Sequence, residues 1–138
     1  MTDVEKLVQQ WLAQSALAAT SLTRTDGGVN VFRAMPNKAP LPSIVLSRVG
    51  GAPPARVTLP QDNARISFAC WAASRDEAAG LAAQLVDELG ALGETGGWGP
   101  TVTGHLSAAE VLSLVWVPDP ASDTPRYVVD AIVTAITG

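Results

Sequence analysis

Few residues in this chain are of a type that does chemistry, and their spacing decides what that chemistry could be. His105 is the single histidine and Cys70 the single cysteine. A zinc or di-iron site needs three or four Cys, His or carboxylate ligands at motif spacing, and none surrounds His105. A nucleophilic site would need Cys70 or a serine beside His105 with an orienting carboxylate. Cys70 instead falls mid-strand on the apolar side of Arg65-Ile66-Ser67-Phe68-Ala69-Cys70-Trp71-Ala72, the wrong place for an exposed thiolate. Gly96, Gly97 and Gly99 invite a phosphate-cradle reading, but a P-loop opens a helix with Lys and Ser or Thr, and here Trp98 and Pro100 intervene after a helix. Asp119 and Asp123 read as turn carboxylates. No catalytic, cofactor-binding or metal site is expected.

What remains is contact chemistry. Trp98 sits in a glycine-rich loop with few local neighbours, so it either anchors an interface or folds back to plug the core. Trp71 lies on the more polar side of its strand, where a helix edge or a neighbouring subunit would have to cover it. Arg56, in the strand-like piece Arg56-Val57-Thr58-Leu59 of a Pro/Gly-marked loop at residues 50–64, is the third candidate interface residue. That loop reads as an exposed arm or hairpin, or as plain solvated loop.

The elements that must position these residues follow from periodicity. Thr2 and Glu5 have capping-box spacing, and Val4, Leu7, Val8, Trp11 and Leu12 form one apolar stripe of a helix over about residues 3–18. Short strands are expected at 29–33 and 43–49, the second ended by Gly50-Gly51, and a third at 65–72 with period-two alternation. Ser74 and Glu77 repeat the capping-box spacing. A second helix then carries Ala78, Leu81, Ala82, Leu85, Val86, Leu89 and Leu92, with Gly93 as its left-handed stop. Residues 102–117 read as a strand interrupted near Ser107-Ala108-Ala109. Residues 126–136 form its antiparallel partner across the 118–125 turn. The expected fold class is α+β: a single mixed or antiparallel sheet of four to five strands flanked by two main helices, in one domain over 1–138.

Composition bounds the partners. Of 138 residues 47% are hydrophobic and 16% charged, lean in charge for a small monomer, so some surface is expected to be covered by another subunit. A net charge of −4 with scattered basic residues opposes nucleic-acid binding, which needs clustered cations. The acidic N-terminus lacks the pattern of a secretory signal, and no apolar run is long enough for a membrane helix, so a cytoplasmic site of synthesis is expected.

Several pieces, taken in order, carry a resemblance. They are the helix at 3–12, Leu41-Pro42-Ser43-Ile44-Val45-Leu46 followed by Gly50-Gly51, and Asp62-Asn63-Ala64-Arg65-Ile66. Trp71 with Ser74, Glu77 and Ala78 comes next, then Trp116-Val117-Pro118-Asp119-Pro120 and Pro125-Arg126-Tyr127-Val128-Val129-Asp130. Together these resemble the tail terminator proteins of long-tailed bacteriophages, the minor tail protein U type, in the versions from phages of actinobacteria. The resemblance implies a non-enzymatic virion protein without cofactors. It would form a hexameric ring that caps the tail tube, ends its polymerisation and joins it to the head through a neck or head-completion protein, with DNA passing unbound through the bore. The implied location is the head-proximal end of the virion tail, and the host cytoplasm during assembly. Another neck or head-completion protein is the first alternative, and a small ligand-binding domain or enzyme the second.

Overall fold

The computed structural model describes residues 3–34, 40–52, 61–94, 96–101 and 104–137. Helix α1 (Val4–Ala13) is capped by Asp3, whose carboxylate accepts the Lys6 amide at 3.2 Å. The cap is therefore Asp3, one residue beyond the Thr2 expected from the capping-box spacing, and Thr2 lies outside the described residues. Val4, Leu7, Val8, Trp11 and Leu12 are all buried, as their spacing predicts.

The expected continuation of this helix to residue 18 is broken at Ser15. The Ser15 hydroxyl donates to the Leu12 carbonyl at 2.6 Å and accepts the Ala18 amide at 3.2 Å, ending one helix and capping a π-helical turn at Ala18–Leu22. A serine offering its own hydrogen bonds to the backbone is a standard competitor of helix continuation.

Six strands form one mixed sheet in the order β1-β2-β3-β6-β5-β4. They are β1 (Val31–Phe32), β2 (Ser43–Ala52), β3 (Gln61–Trp71), β4 (Trp98–Thr101), β5 (Gly104–Trp116) and β6 (Arg126–Thr137). Only β1 and β2 pair in parallel. The α+β class stands, with six strands instead of four or five. The extra one is β4, whose Trp-Gly-Pro-Thr sequence has little strand propensity; it sits at the sheet edge, where a residue without an N–H is tolerated.

Residues 50–64 also differ from expectation at their ends. β2 runs on through Gly50-Gly51 past a bulge between Arg48 and Gly50, and β3 begins at Gln61. The two strands are hairpin partners, and the piece containing Arg56 lies outside the described residues. Near Ser107-Ala108-Ala109, β5 is continuous but carries a register shift between Leu106 and Ala108 and a second between Val111 and Ser113.

Helix α2 (Arg75–Glu94) begins as expected, with the Ser74 hydroxyl accepting the Glu77 amide at 3.2 Å. It outlasts Gly93: the left-handed residues that close it are Gly96 and Gly97, and the Gly97 amide donates to the Leu92 carbonyl at 2.9 Å.

Both helices lie on one face of the sheet. Ala64, Ile66, Phe68 and Cys70 of β3 and Val129, Ala131, Val133 and Ala135 of β6 are fully buried beneath Leu85, Leu89, Val8 and Leu12. The alternate residues Arg65, Ser67 and Ala69 point away from this core and are exposed or half-buried, the period-two contrast of a sheet covered on one side. No helix among the described residues is long and apolar enough to cross a membrane.

Candidate functional site

The residues with reactive side chains are kept apart and occupied with structure. Cys70 pairs across the ladder with Tyr127 near one end of β6, and His105 pairs with Ile136 near the other. Nine residues of strand, about 30 Å at ~3.4 Å each, therefore separate them, and they cannot act as a nucleophile and base. Cys70 is fully buried, and the loss of hydration pushes its thiol up to about 12. His105 Nε2 lies 3.2 Å from the Gly96 carbonyl, a contact that ties the end of α2 to β5. Among the described residues no three His, Cys, Asp or Glu side chains converge as metal ligands.

Cys70 gives a pH-dependent expectation. The folded thiol titrates near 12 against 9 for a free one. Between those values the unfolded chain has given up a proton that the native state retains, so stability falls as pH rises above 9, by about 1.4 kcal/mol per unit. Native protein at pH 8 should resist alkylation while urea-unfolded protein labels fully. The urea midpoint should drop steadily from pH 9 to 11 and not do so in Cys70→Ala. Rapid native labelling would contradict the burial.

The glycines at 97 and 99 leave no room for a phosphate. A Cβ on Gly97 would run into the Leu106 carbonyl oxygen, and one on Gly99 into the Gly104 carbonyl oxygen. Their function is to let β4 lie against β5. Asp119 also has a structural role. Its carboxylate accepts the Ser122 hydroxyl at 2.5 Å and the Ala121 amide at 3.1 Å, bonds that hold its pKa below the usual carboxylate range. The Asp123 amide donates to the Asp119 carbonyl at 2.8 Å, with Asp123 itself left-handed at φ 58°. This network shapes the β5–β6 turn.

The candidate contact residues are placed as follows. Trp98 opens β4 opposite Leu106 and is half-buried, packed against the core, so the folded-back alternative describes its position while part of the ring stays accessible. Trp71 ends β3 and is nearly buried, with the Arg126 guanidinium 4.8 Å above its ring. Arg126 is itself held by a 2.8 Å bond from Nε to the Val117 carbonyl. A second such stack stands nearby, Arg75 lying 4.5 Å over Trp116, whose ring centroid is 5.1 Å from that of Tyr127. Trp71 and Trp98 are not brought together, since β6 and β5 stand between their strands in the sheet, and Arg56 lies outside the described residues.

Sequence reasoning missed the exposed apolar residues. Leu112, Leu114, Val115 and Val117 are 37–49% exposed, and Leu41 and Val49 are 42% and 56% exposed. A signal was present: Val111-Leu112-Ser113-Leu114-Val115-Trp116-Val117 is almost continuously apolar, a pattern proper to a strand buried on both faces. Here it occupies a strand that no described strand pairs with on its outer side beyond Leu106. Separately, an open cleft of about 460 Å³ lies beside α2, lined by Ser21, Pro42, Glu77, Gly80, Leu81 and Gln84. Glu77 is the one titratable side chain among those lining residues, and the Ser21 hydroxyl beside it donates to the Gln84 side-chain carbonyl at 3.4 Å.

No family model and no curated protein matches the chain. Among solved structures it is similar to a chain of a particle described as the virion of a native gene transfer agent, with 24% sequence identity and a TM-score of 0.56. The likeness covers 94% of this chain and 90% of that one. At that identity it shows a shared fold along nearly the whole of both chains.

Proposed function

We propose that this protein is a structural component of a phage-like virion. As a ring of identical subunits it caps the tail tube, stops its polymerisation and joins it to the head through a neck protein. The observation that carries the reading is the end-to-end fold likeness to a chain of a gene transfer agent virion, at 94% and 90% coverage. A likeness confined to one motif would leave the assembly role unsupported, whereas one that runs along nearly the whole of both chains supports it. The ordered resemblance to tail terminators is the support for a place at the head-proximal end of the tail.

The physical form of the mechanism is steric and cohesive. A terminator must bind the last ring of the tube through one axial face and present a different one above it, so that no further tube subunit fits. Such a protein works without an active site, and we infer that it is not an enzyme. Its net charge of −4 suits a passage for DNA, because unneutralised phosphates are repelled from an acidic wall.

The test is tube assembly in vitro. Purified protein added to polymerising tail-tube protein is expected to shorten the tubes in proportion to its concentration and to appear as one ring at one tube end by negative-stain microscopy. Tubes of unchanged length would sink the terminator role, and binding only to the neck would favour a head-completion protein.

A further inference from the structure

Of the six exposed large apolar side chains among the described residues, Leu112, Leu114 and Val115 lie in β5 and Val117 just past its end, while Val49 lies in β2 and Leu41 two residues before it. Among the described residues β4 covers the outer side of β5 only as far as Leu106, and β1 pairs with Ile44 and Val45 alone of β2. These two strands stand towards opposite edges of the one sheet. Helix α2, the longest helix, contributes none. A protein that docks one dissimilar partner needs a single apolar patch. A patch at each edge of the same sheet is what a subunit needs to meet a copy on either side.

We propose that the β5 edge, centred on Leu112 to Val117, packs against the β2 edge of a second copy of this chain, around Leu41 and Val49. This contact deepens the ring reading above and rests on it. Each edge is poorly matched to its own kind. At the β2 edge the Arg48 amide is already taken, donating to the Glu5 carboxylate at 2.9 Å, and the Ile44 amide donates to the Asn30 carbonyl at 3.0 Å. Two β2 edges therefore cannot extend a ladder through those amides. The β5 edge is bent by two bulges, at Leu106/Ala108 and Val111/Ser113, which resist in-register pairing with another β5. Side-chain packing of unlike edges remains, and it is heterologous: each copy offers one edge and receives the other.

The size of the contact agrees with a ring. Residues 108–117 span roughly 30 Å, and a strip of that length and ~15 Å height on each partner buries on the order of 900 Å² in total, at the low end of specific interfaces. One such contact is weak. Closure lets every subunit make two.

Mixing charged variants tests this directly. Val115→Glu disables the β5 edge and Val49→Glu the β2 edge, at positions 49% and 56% exposed, where circular dichroism should show an unchanged fold. By light scattering, wild type is expected to form species larger than a dimer. Each variant alone should stay monomeric at concentrations at least tenfold above the wild-type assembly midpoint. An equimolar mixture should yield a dimer and nothing larger, because only one intact edge of each kind survives. Leu112→Lys, a second lesion at the β5 edge, should behave as Val115→Glu and also complement Val49→Glu.

Wild-type assembly by either single variant overturns the proposal, as does a mixture that stays monomeric or a wild type that never self-associates. Wild type that assembles, obeys these rules and yet leaves tube length unchanged would overturn the terminator role while leaving the contact intact.

Discussion

Arg48→Ala is expected to destabilise the protein by about 3 kcal/mol, the range for removing one partner of a buried ion pair. Asp62 is 1% exposed, and its two oxygens take the Arg48 guanidinium in a fork at 2.7 and 2.8 Å. The Arg48 Nε donates to the Gly50 carbonyl at 3.1 Å, across the β2 bulge, while its backbone amide donates to Glu5 on α1. One residue thus binds the β2–β3 hairpin to itself and to the first helix. Without the guanidinium, Asp62 keeps its burial and loses its counter-charge, so a carboxylate that water no longer solvates has to be hydrated or protonated.

In urea the loss should appear as a midpoint lower by about 1–3 M, given a slope of ~1–3 kcal/mol per molar. Asp62→Asn in the Arg48→Ala background removes the stranded charge and should recover about half. A single mutant as stable as wild type, or a double mutant no better than the single, would show that the fork does not hold the hairpin. Salt should change the wild-type value little, because the acidic partner is shielded from solvent.

How much of this was legible in the sequence follows from the range of each signal. α2 was readable almost to the residue and β3 from residue 65 onward, though it starts at Gln61, because a cap, a sustained stripe and a period-two run are local patterns, and Ser74, Leu85 and Phe68 each do in the fold what their spacing predicts. β4 was not. Its four residues have no period, and it exists because Gly97 and Gly99 let the chain close on β5, a fact about a neighbour ten residues away. Thr2 is the cap that its spacing to Glu5 predicts, and the fold uses Asp3 instead.

The contact surface was the least legible part. Leu112 to Val117 has the composition of a buried strand, and whether such a strand is central or at an edge depends on sheet order, which no local pattern encodes. The place of Trp71 on the more polar side of its strand pointed to cover by a helix edge or a neighbouring subunit, and Arg126 stacks on that ring within the same chain. The shortage of charge, from which covered surface is expected, is a property of the whole chain and carries no address. Among the described residues, the exposed large apolar side chains lie in or beside β5 and β2.

Gly97→Ala should damage the fold and Gly90→Ala should help it, although the two changes are chemically identical. Gly90 lies within α2 with nothing within 4 Å of a Cβ built on it, so alanine there only removes backbone freedom from the unfolded chain and is expected to add ~0.5–1 kcal/mol. Gly97 is left-handed at φ 89°, which alone disfavours alanine by about 1–2 kcal/mol. Its new methyl would also meet the Leu106 carbonyl oxygen and stand 3.1 Å from the Ser107 Cα, both backbone atoms that cannot swing aside. Relief requires β4 to lift from β5, which breaks the Trp98–Leu106 pairing and takes the Trp98 ring off the core. The combined effect is expected to be about 3 kcal/mol, within the range of a strained backbone plus an overpacked contact. Thermal unfolding of the two variants should move in opposite directions, and the native tryptophan fluorescence of Gly97→Ala should shift to the red as Trp98 gains water. Equal and small effects of both would mean that β4 is held to the sheet by something other than the close approach at Gly97.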